Sequence, residues 1–126
     1  MSYDRFDVVL VLFPFTEKRE KKQRPAIVIS HREFNTTHGH SVVAMVTTAS
    51  ITKWPSDLPI KGYTDAGLLN PCVARAKLFT ISHDLVIGRV GTLTSQDGSR
   101  IGAWIADLLS KHENTFRADA TRSRDQ

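Results

Sequence analysis

Five side chains could do chemistry together: Arg24, Thr47, Thr48, Arg75 and Lys77. All stand at the ends of β-type runs or on one face of such a run. The planar guanidinium of arginine can grip two phosphate oxygens at once, and a threonine hydroxyl can add a further donor. Close by, the segment Glu17–Arg24 concentrates Lys18, Arg19, Lys21, Lys22 and Arg24 against two acids, Glu17 and Glu20. Such a cluster attracts a polyanion. Cutting an RNA backbone without a metal needs an acceptor for the 2′-hydroxyl proton, donors that stabilise charge on the phosphate, and an acid for the leaving oxygen. Arg24 and Thr47 suit the second task. The same residues fit a blander reading, in which charges keep a loop solvated and Thr47–Thr48 is a β-favouring pair where a strand runs out.

Other chemistries find less support. His38 and His40 are two apart and would share a strand face, but no cysteine or carboxylate stands nearby at ligand spacing. They read as solvated. His31 could approach the site from the end of the second strand, whereas His83 and His112 read as surface residues. There is no phosphate-binding glycine loop, no nucleophile elbow and no CxxC pair. No metal or cofactor is expected.

The elements that must hold these residues are mostly strands. Asp7–Phe13 is almost continuously apolar, as in a strand buried on both faces, and Pro14 ends it. Pro25–Ser30 is the second strand; Pro25 holds Arg24 extended at a loop–strand junction. The polar stretch His31–Gly39 reads as a loop and His40–Thr48 as a third strand. Ala49–Ser56 is irregular, with Trp54–Pro55 expected to anchor it against the core. Asp57–Ile60 is a short edge strand, Lys61–Asn70 a loop and Pro71–Lys77 another strand. On that strand alternation puts Val73, Arg75 and Lys77 on one face, opposite Cys72, Ala74 and Ala76. Thr80–Leu85 reads as one helical turn and Val86–Leu93 as the last strand. The period then changes: Ile101, Trp104, Ile105, Leu108 and Leu109 make the apolar stripe of an α-helix, capped by Ser95 or Asp97 and weakened in its first turn by Gly98 and Gly102. The expectation is a small β-barrel closed by a C-terminal helix, with residues 1–112 as one domain and 113–126 as a polar tail.

At 126 residues the chain has the size of a single domain with one core. Its 40% hydrophobic and 24% charged residues exclude a disordered class, and its net charge of +4 permits a polyanionic partner without requiring one. A lone cysteine, Cys72, leaves no internal disulfide. With no leader-like start and no apolar run approaching the ~20 residues of a membrane helix, a cytoplasmic protein is expected.

Three ordered blocks resemble one family. FDVVLVLFPFTEKREKKQRPAIVIS is similar to the "GDVVLVDFPFT…RRPALVLS" opening of the MazF/PemK-type toxins. VVAMVTTAS is similar to their "VIVAPITS" strand, and AGLLNPCVARAKLFTISHDLVIGRVGTLT to "GLPAPSVVRMKLFTLDHRLVLRRLGRLS". The resemblance implies an SH3-like barrel, a homodimer, and a metal-independent ribonuclease (an mRNA interferase) that cuts single-stranded RNA. It also implies a cognate antitoxin whose peptide lies across the dimer groove and blocks activity. By position, Arg24 matches the family arginine that acts on the phosphate and Thr47 the threonine ending the "PITS" strand. Arg75 matches the arginine of "SVVR", an RNA-binding or supporting residue; Lys18, Arg19, Lys21, Lys22, Thr48 and Lys77 would join it in binding RNA.

The departures are specific. Cys72, Met45 and Leu12 replace the family's serine, proline and acid, and Lys77 stands where some members carry an aspartate proposed as the base. The general base is therefore open. Two other readings stay in view: a non-catalytic RNA- or antitoxin-binding module of the same fold, and a toxin that inhibits a protein such as a topoisomerase.

Overall fold

A computed structural model describes residues 2–13, 22–50 and 53–110. The order of elements is β1 (Asp7–Phe13), β2 (Lys22–Val28), α1 (Arg32–His38), β3 (His40–Thr48), β4 (Leu58–Pro59), β5 (Cys72–Ser82), a 3-10 turn (His83–Leu85), β6 (Val86–Thr92) and α2 (Ser95–Ser110). The six strands form one antiparallel sheet in the order β4-β5-β3-β2-β1-β6. The mainly β architecture with a C-terminal helix is as expected from sequence. The hydrogen-bonded ladder is open, with β4 and β6 as its edges. Among the described residues no helix is long and apolar enough to cross a membrane.

Both faces of the sheet are buried, which is why β1 reads as a nearly unbroken apolar run. Val8, Ile27, Val46 and Ala74 face Ile101 and Ile105 of α2. Val9, Val11, Phe13, Ala26, Val28, Val43, Met45 and Ile81 form a second cluster with Tyr3 on the opposite face. Phe79, Leu85 and Val86 pack against that cluster. Register shifts between β1 and β6 at Val8/Val9 and Leu10/Val11, and between β3 and β5 at Ala44/Met45, bend and twist the strands.

Several boundaries differ from the sequence reading. Strand β2 begins at Lys22, because Phe13↔Lys22, Leu12↔Gln23 and Val11↔Arg24 extend its pairing with β1. Pro25 is tolerated because pairing with β3 starts only at Ala26, so β2 has a free edge there. The expected loop at 31–39 contains α1: His31 Nδ1 accepts from Phe34 N–H at 3.3 Å, and Gly39, at φ 60°, closes the C-terminus. Buried Asn35 fixes this helix by donating to the carbonyls of Tyr3 and Ser30. Strand β5 runs on to Ser82, which shortens the expected turn to His83–Leu85.

In α2 the cap is Thr94, whose Oγ1 accepts from Asp97 N–H at 3.1 Å; neither Ser95 nor Asp97 has that role. The Asp97 carboxylate instead accepts from Lys61 and Gly62 N–H and pairs with Arg100, pinning the 61–67 turn to the helix. The stripe is buried at Ile101 and Ile105, but Leu108 and Leu109 are exposed. Gly98 does not mark a frayed turn, since it lies buried against the ring of Phe6. Phe6 itself has φ 76°, at the position where the similar family pattern has glycine. The expected tail 113–126 lies outside the described residues.

Candidate functional site

Strand pairing brings Arg24 and Thr47 to one end and one face of the sheet. On β2, Arg24 has the parity of Ala26 and Val28; on β3, Thr47 has that of Val43 and Met45. All four apolar residues belong to the cluster opposite α2, so Arg24 and Thr47 stand at its polar rim. The register Ala26↔Met45, Ile27↔Ala44, Val28↔Val43, carried two residues on, sets Arg24 opposite Thr47. Arg24 therefore lies within β2, two residues inside its start, and not at the loop junction expected from Pro25. The guanidinium is half-buried and has no carboxylate partner among the described residues. A cation held on a stiff strand with its donors uncommitted is suited to an anion such as a phosphodiester.

One step along β5, Arg75 pairs with Met45 and shares this face. Its surroundings differ sharply from those of Arg24. Arg75 is buried, and its Nε and Nη2 donate to Oδ1 and Oδ2 of Asp57 at 3.0 and 2.9 Å. The guanidinium beside Asp57 holds that carboxyl below the usual carboxylate range, more than offsetting the opposing effect of burial; Trp54 N–H, at 2.9 Å, helps. Asp57 in turn raises the Arg75 pKa above the ordinary arginine value. Arg75 thus binds a segment of its own chain, which favours the supporting part of the role expected for it.

What Arg75 supports is the turn at Trp54–Asp57. Asp57 N–H donates back to Trp54 C=O at 3.0 Å, and the Trp104 indole N–H of α2 donates to Ser56 C=O at 2.8 Å. The sequence suggested Trp54 as a core anchor, but its side is open: 39% of it is exposed, and Trp104 does the anchoring. The guanidinium carbon of Arg75 lies 5.1 Å and Lys77 Nζ 5.4 Å from the Trp54 ring centre. Lys77 is exposed beside the irregularity that leaves Ala76 and Lys77 unpaired between Met45↔Arg75 and Ala44↔Leu78. Thr48, Lys53, Trp54, Asp57 and Val73 are among the residues lining a cavity of about 250 Å³ at the end of β3.

The remaining candidates divide by location. Lys22 is exposed at the start of β2, on the parity of Arg24. Lys18, Arg19 and Lys21 lie outside the described residues. His31 caps α1 beyond the far end of β2 and so does not join Arg24. His38 and His40 are exposed at the α1–β3 junction. His83 is half-buried instead of a surface residue: its Nε2 hydrogen-bonds Ser41 Oγ at 2.8 Å, and its ring packs edge-on to Tyr3. Trp54 and Asp57 were not recognised as parts of the site. Nothing in the local sequence shows that Asp57 meets an arginine eighteen residues later.

Residues 4–109 match the family described as PemK-like, MazF-like toxin of type II toxin-antitoxin system. Among curated proteins, no sequence matches the chain. Solved structures share its fold. One is an endoribonuclease in complex with its cognate antitoxin from a mycobacterial species, with a TM-score of 0.68 and 16% identity over 86% of this chain and 94% of that one. Another is MazF (Form-I) from Deinococcus radiodurans, at 0.69 and 14% over 87% and 98%. A MazE–MazF complex (Form-III) from the same organism gives 0.69 and 17%, again over 87% and 98%.

Proposed function

Because the chain belongs to the PemK-like, MazF-like toxins of type II toxin–antitoxin systems, we propose that it is a sequence-selective endoribonuclease that cuts single-stranded RNA without a metal. The observation that carries this reading is the placement of Arg24 and Thr47 on one face and at one end of adjacent strands, just beyond the last paired residues Ala26 and Met45, with no carboxylate on the Arg24 guanidinium among the described residues. In the proposed reaction the 2′-hydroxyl attacks the adjacent phosphorus and the bond to the next 5′-oxygen breaks. The products are a 2′,3′-cyclic phosphate and a 5′-hydroxyl. Arg24 grips the phosphate oxygens and Thr47 donates to the charge that develops there. Lys22, Lys77 and Thr48, with Lys18, Arg19 and Lys21 of the basic segment, track the RNA backbone.

Asp57, the carboxylate tied into this rim, is held ionised by Arg75 and is a weak base. With Lys77 at the position of the family aspartate, the 2′-hydroxyl proton passes to solvent water, and the leaving 5′-oxygen takes a proton from solvent. The same lysine favours a second reading, an RNA- or antitoxin-binding module that no longer cleaves. A homodimer with a cognate antitoxin peptide across its groove completes the proposal; the antitoxin-bound structures of similar fold support it. The test is incubation of the purified protein with a long single-stranded RNA and mapping of every new end. Cuts recurring at one short common sequence support the nuclease. Binding without new ends selects the second reading.

A further inference from the structure

We infer that the cavity beside Trp54 is a base-recognition subsite, in which one unstacked base of the RNA near the cut stacks on the exposed indole. The inference rests on the ribonuclease reading and adds the residue that selects sequence. Four observations carry it. First, Trp54 is 39% exposed although it belongs to a rigid turn, held by the Asp57–Arg75 pair, by reciprocal bonds between Trp54 and Asp57, and by Trp104 from α2. A large aromatic fixed in place but left open offers a stacking platform that costs little ordering on binding.

Second, the adjoining hollow of about 250 Å³ has the right scale. An apolar cavity of roughly 150 Å³ takes one benzene ring, so this one admits a one- or two-ring base. Third, its position fits: Thr48 lines it, as does Val73, the register partner of Thr47. A base entering it belongs to a nucleotide close to the phosphate at Arg24 and Thr47. Fourth, its mixed lining of Val73, Pro59 and Thr48 offers a base edge one hydroxyl-bearing residue among apolar ones, while Lys53 in the lining and Lys77 over the Trp54 ring bring positive charge for the backbone. Single-stranded RNA is read in this way, by bases turned out onto aromatic side chains and hydrogen-bonded along their edges.

The experiment uses the full chain, with Trp54→Phe as the control that leaves Trp104 as the sole tryptophan, so that the Trp54 signal is the difference between the two. The probe is a short single-stranded RNA spanning a mapped cut, made uncleavable by one 2′-deoxy sugar. Binding should quench Trp54 fluorescence, and replacing one particular base near the cut with an abasic residue should abolish the quenching. On cleavable RNA, Trp54→Ala should lower kcat/KM about five- to a hundredfold, the range of one base–aromatic stack, and blur the preference at that same position. Trp54→Phe should restore most of both. If the parent protein cleaves RNA but binding leaves Trp54 fluorescence unchanged, or Trp54→Ala keeps the same cut sites and rates, the subsite is overturned and the nuclease stands. If the parent binds RNA without cutting it, the same fluorescence titration is run on a short RNA that it binds, and quenching lost at one abasic position still supports the subsite.

Discussion

Arg24 and Arg75 are the same residue type on the same face of the sheet, and their environments divide the work between them. Arg75 spends its charge on Asp57, whereas the Arg24 guanidinium has no carboxylate partner among the described residues. Arg24→Ala should therefore abolish cleavage with little change in melting temperature, and Arg24→Lys should rescue poorly because a point charge cannot replace a two-pronged fork. Full activity in either folded variant would remove Arg24 from the site. Thr47→Val keeps shape and strand preference while deleting the hydroxyl. It should cost roughly ten- to a thousandfold in turnover, the scale of one transition-state donor, and normal turnover in a less stable protein would make Thr47 structural. The strand-end positions of Arg24 and Thr47 were legible in the sequence because each borders an apolar run, one beside a proline and one where Val46 gives way to hydroxyls, while the roles proposed for them come from the family resemblance. Asp57 was not, since its meaning depends on a contact the chain makes only after folding.

Secondary structure was legible where one period dominates and obscure where a few specific bonds decide. Strands β1 and β3 appear with their expected ends, and α2 follows its apolar stripe. Helix α1 escaped notice because Phe34 is its only large apolar residue; a histidine cap, Gly39 and buried Asn35 hold it instead. The turn at 61–67 is a similar case. It lies against β6 with backbone touching backbone: a Cβ on Gly67 would come within 2.1 Å of Val90 C=O, and one on Gly91 within 2.3 Å of Ala66 C=O. Gly67 also has φ 84°. Gly67→Ala should destabilise the protein by at least about 1–2 kcal/mol from the left-handed backbone alone. The contact adds to this, so a fall in melting temperature of ~4 °C or more is expected. An unchanged melting temperature would mean that the turn is not held against β6 as described.

Across the whole domain, acid sensitivity should come in two stages. Burial is the main cause of the lowered His83 pKa, with the neighbouring His40 and the N-terminus adding to it. Burial alone would raise Asp97, but hydrogen bonds from Gly62, Lys61 and Arg100 outweigh it, and Asp57 is lowered by Arg75. All three groups bind a proton less readily folded than unfolded, so stability rises with pH across their titrations. Denaturant midpoints should begin to fall as pH drops past about 6.5, where an unfolded histidine charges, and fall more steeply below about 4, where unfolded carboxylates protonate. A midpoint flat from pH 7 to 3 would contradict these assignments. The proposed chemistry itself is tested most directly by cleaving a mapped RNA in excess chelator, beside a copy with a single 2′-deoxy sugar immediately 5′ of the cut. Attack by the 2′-hydroxyl predicts undiminished cleavage in chelator, a 2′,3′-cyclic phosphate facing a 5′-hydroxyl, and a deoxy copy that binds but stays whole. Loss of activity in chelator together with cleavage of the deoxy copy, the pattern of a metal-bound water, would contradict the mechanism and the roles given to Arg24 and Thr47.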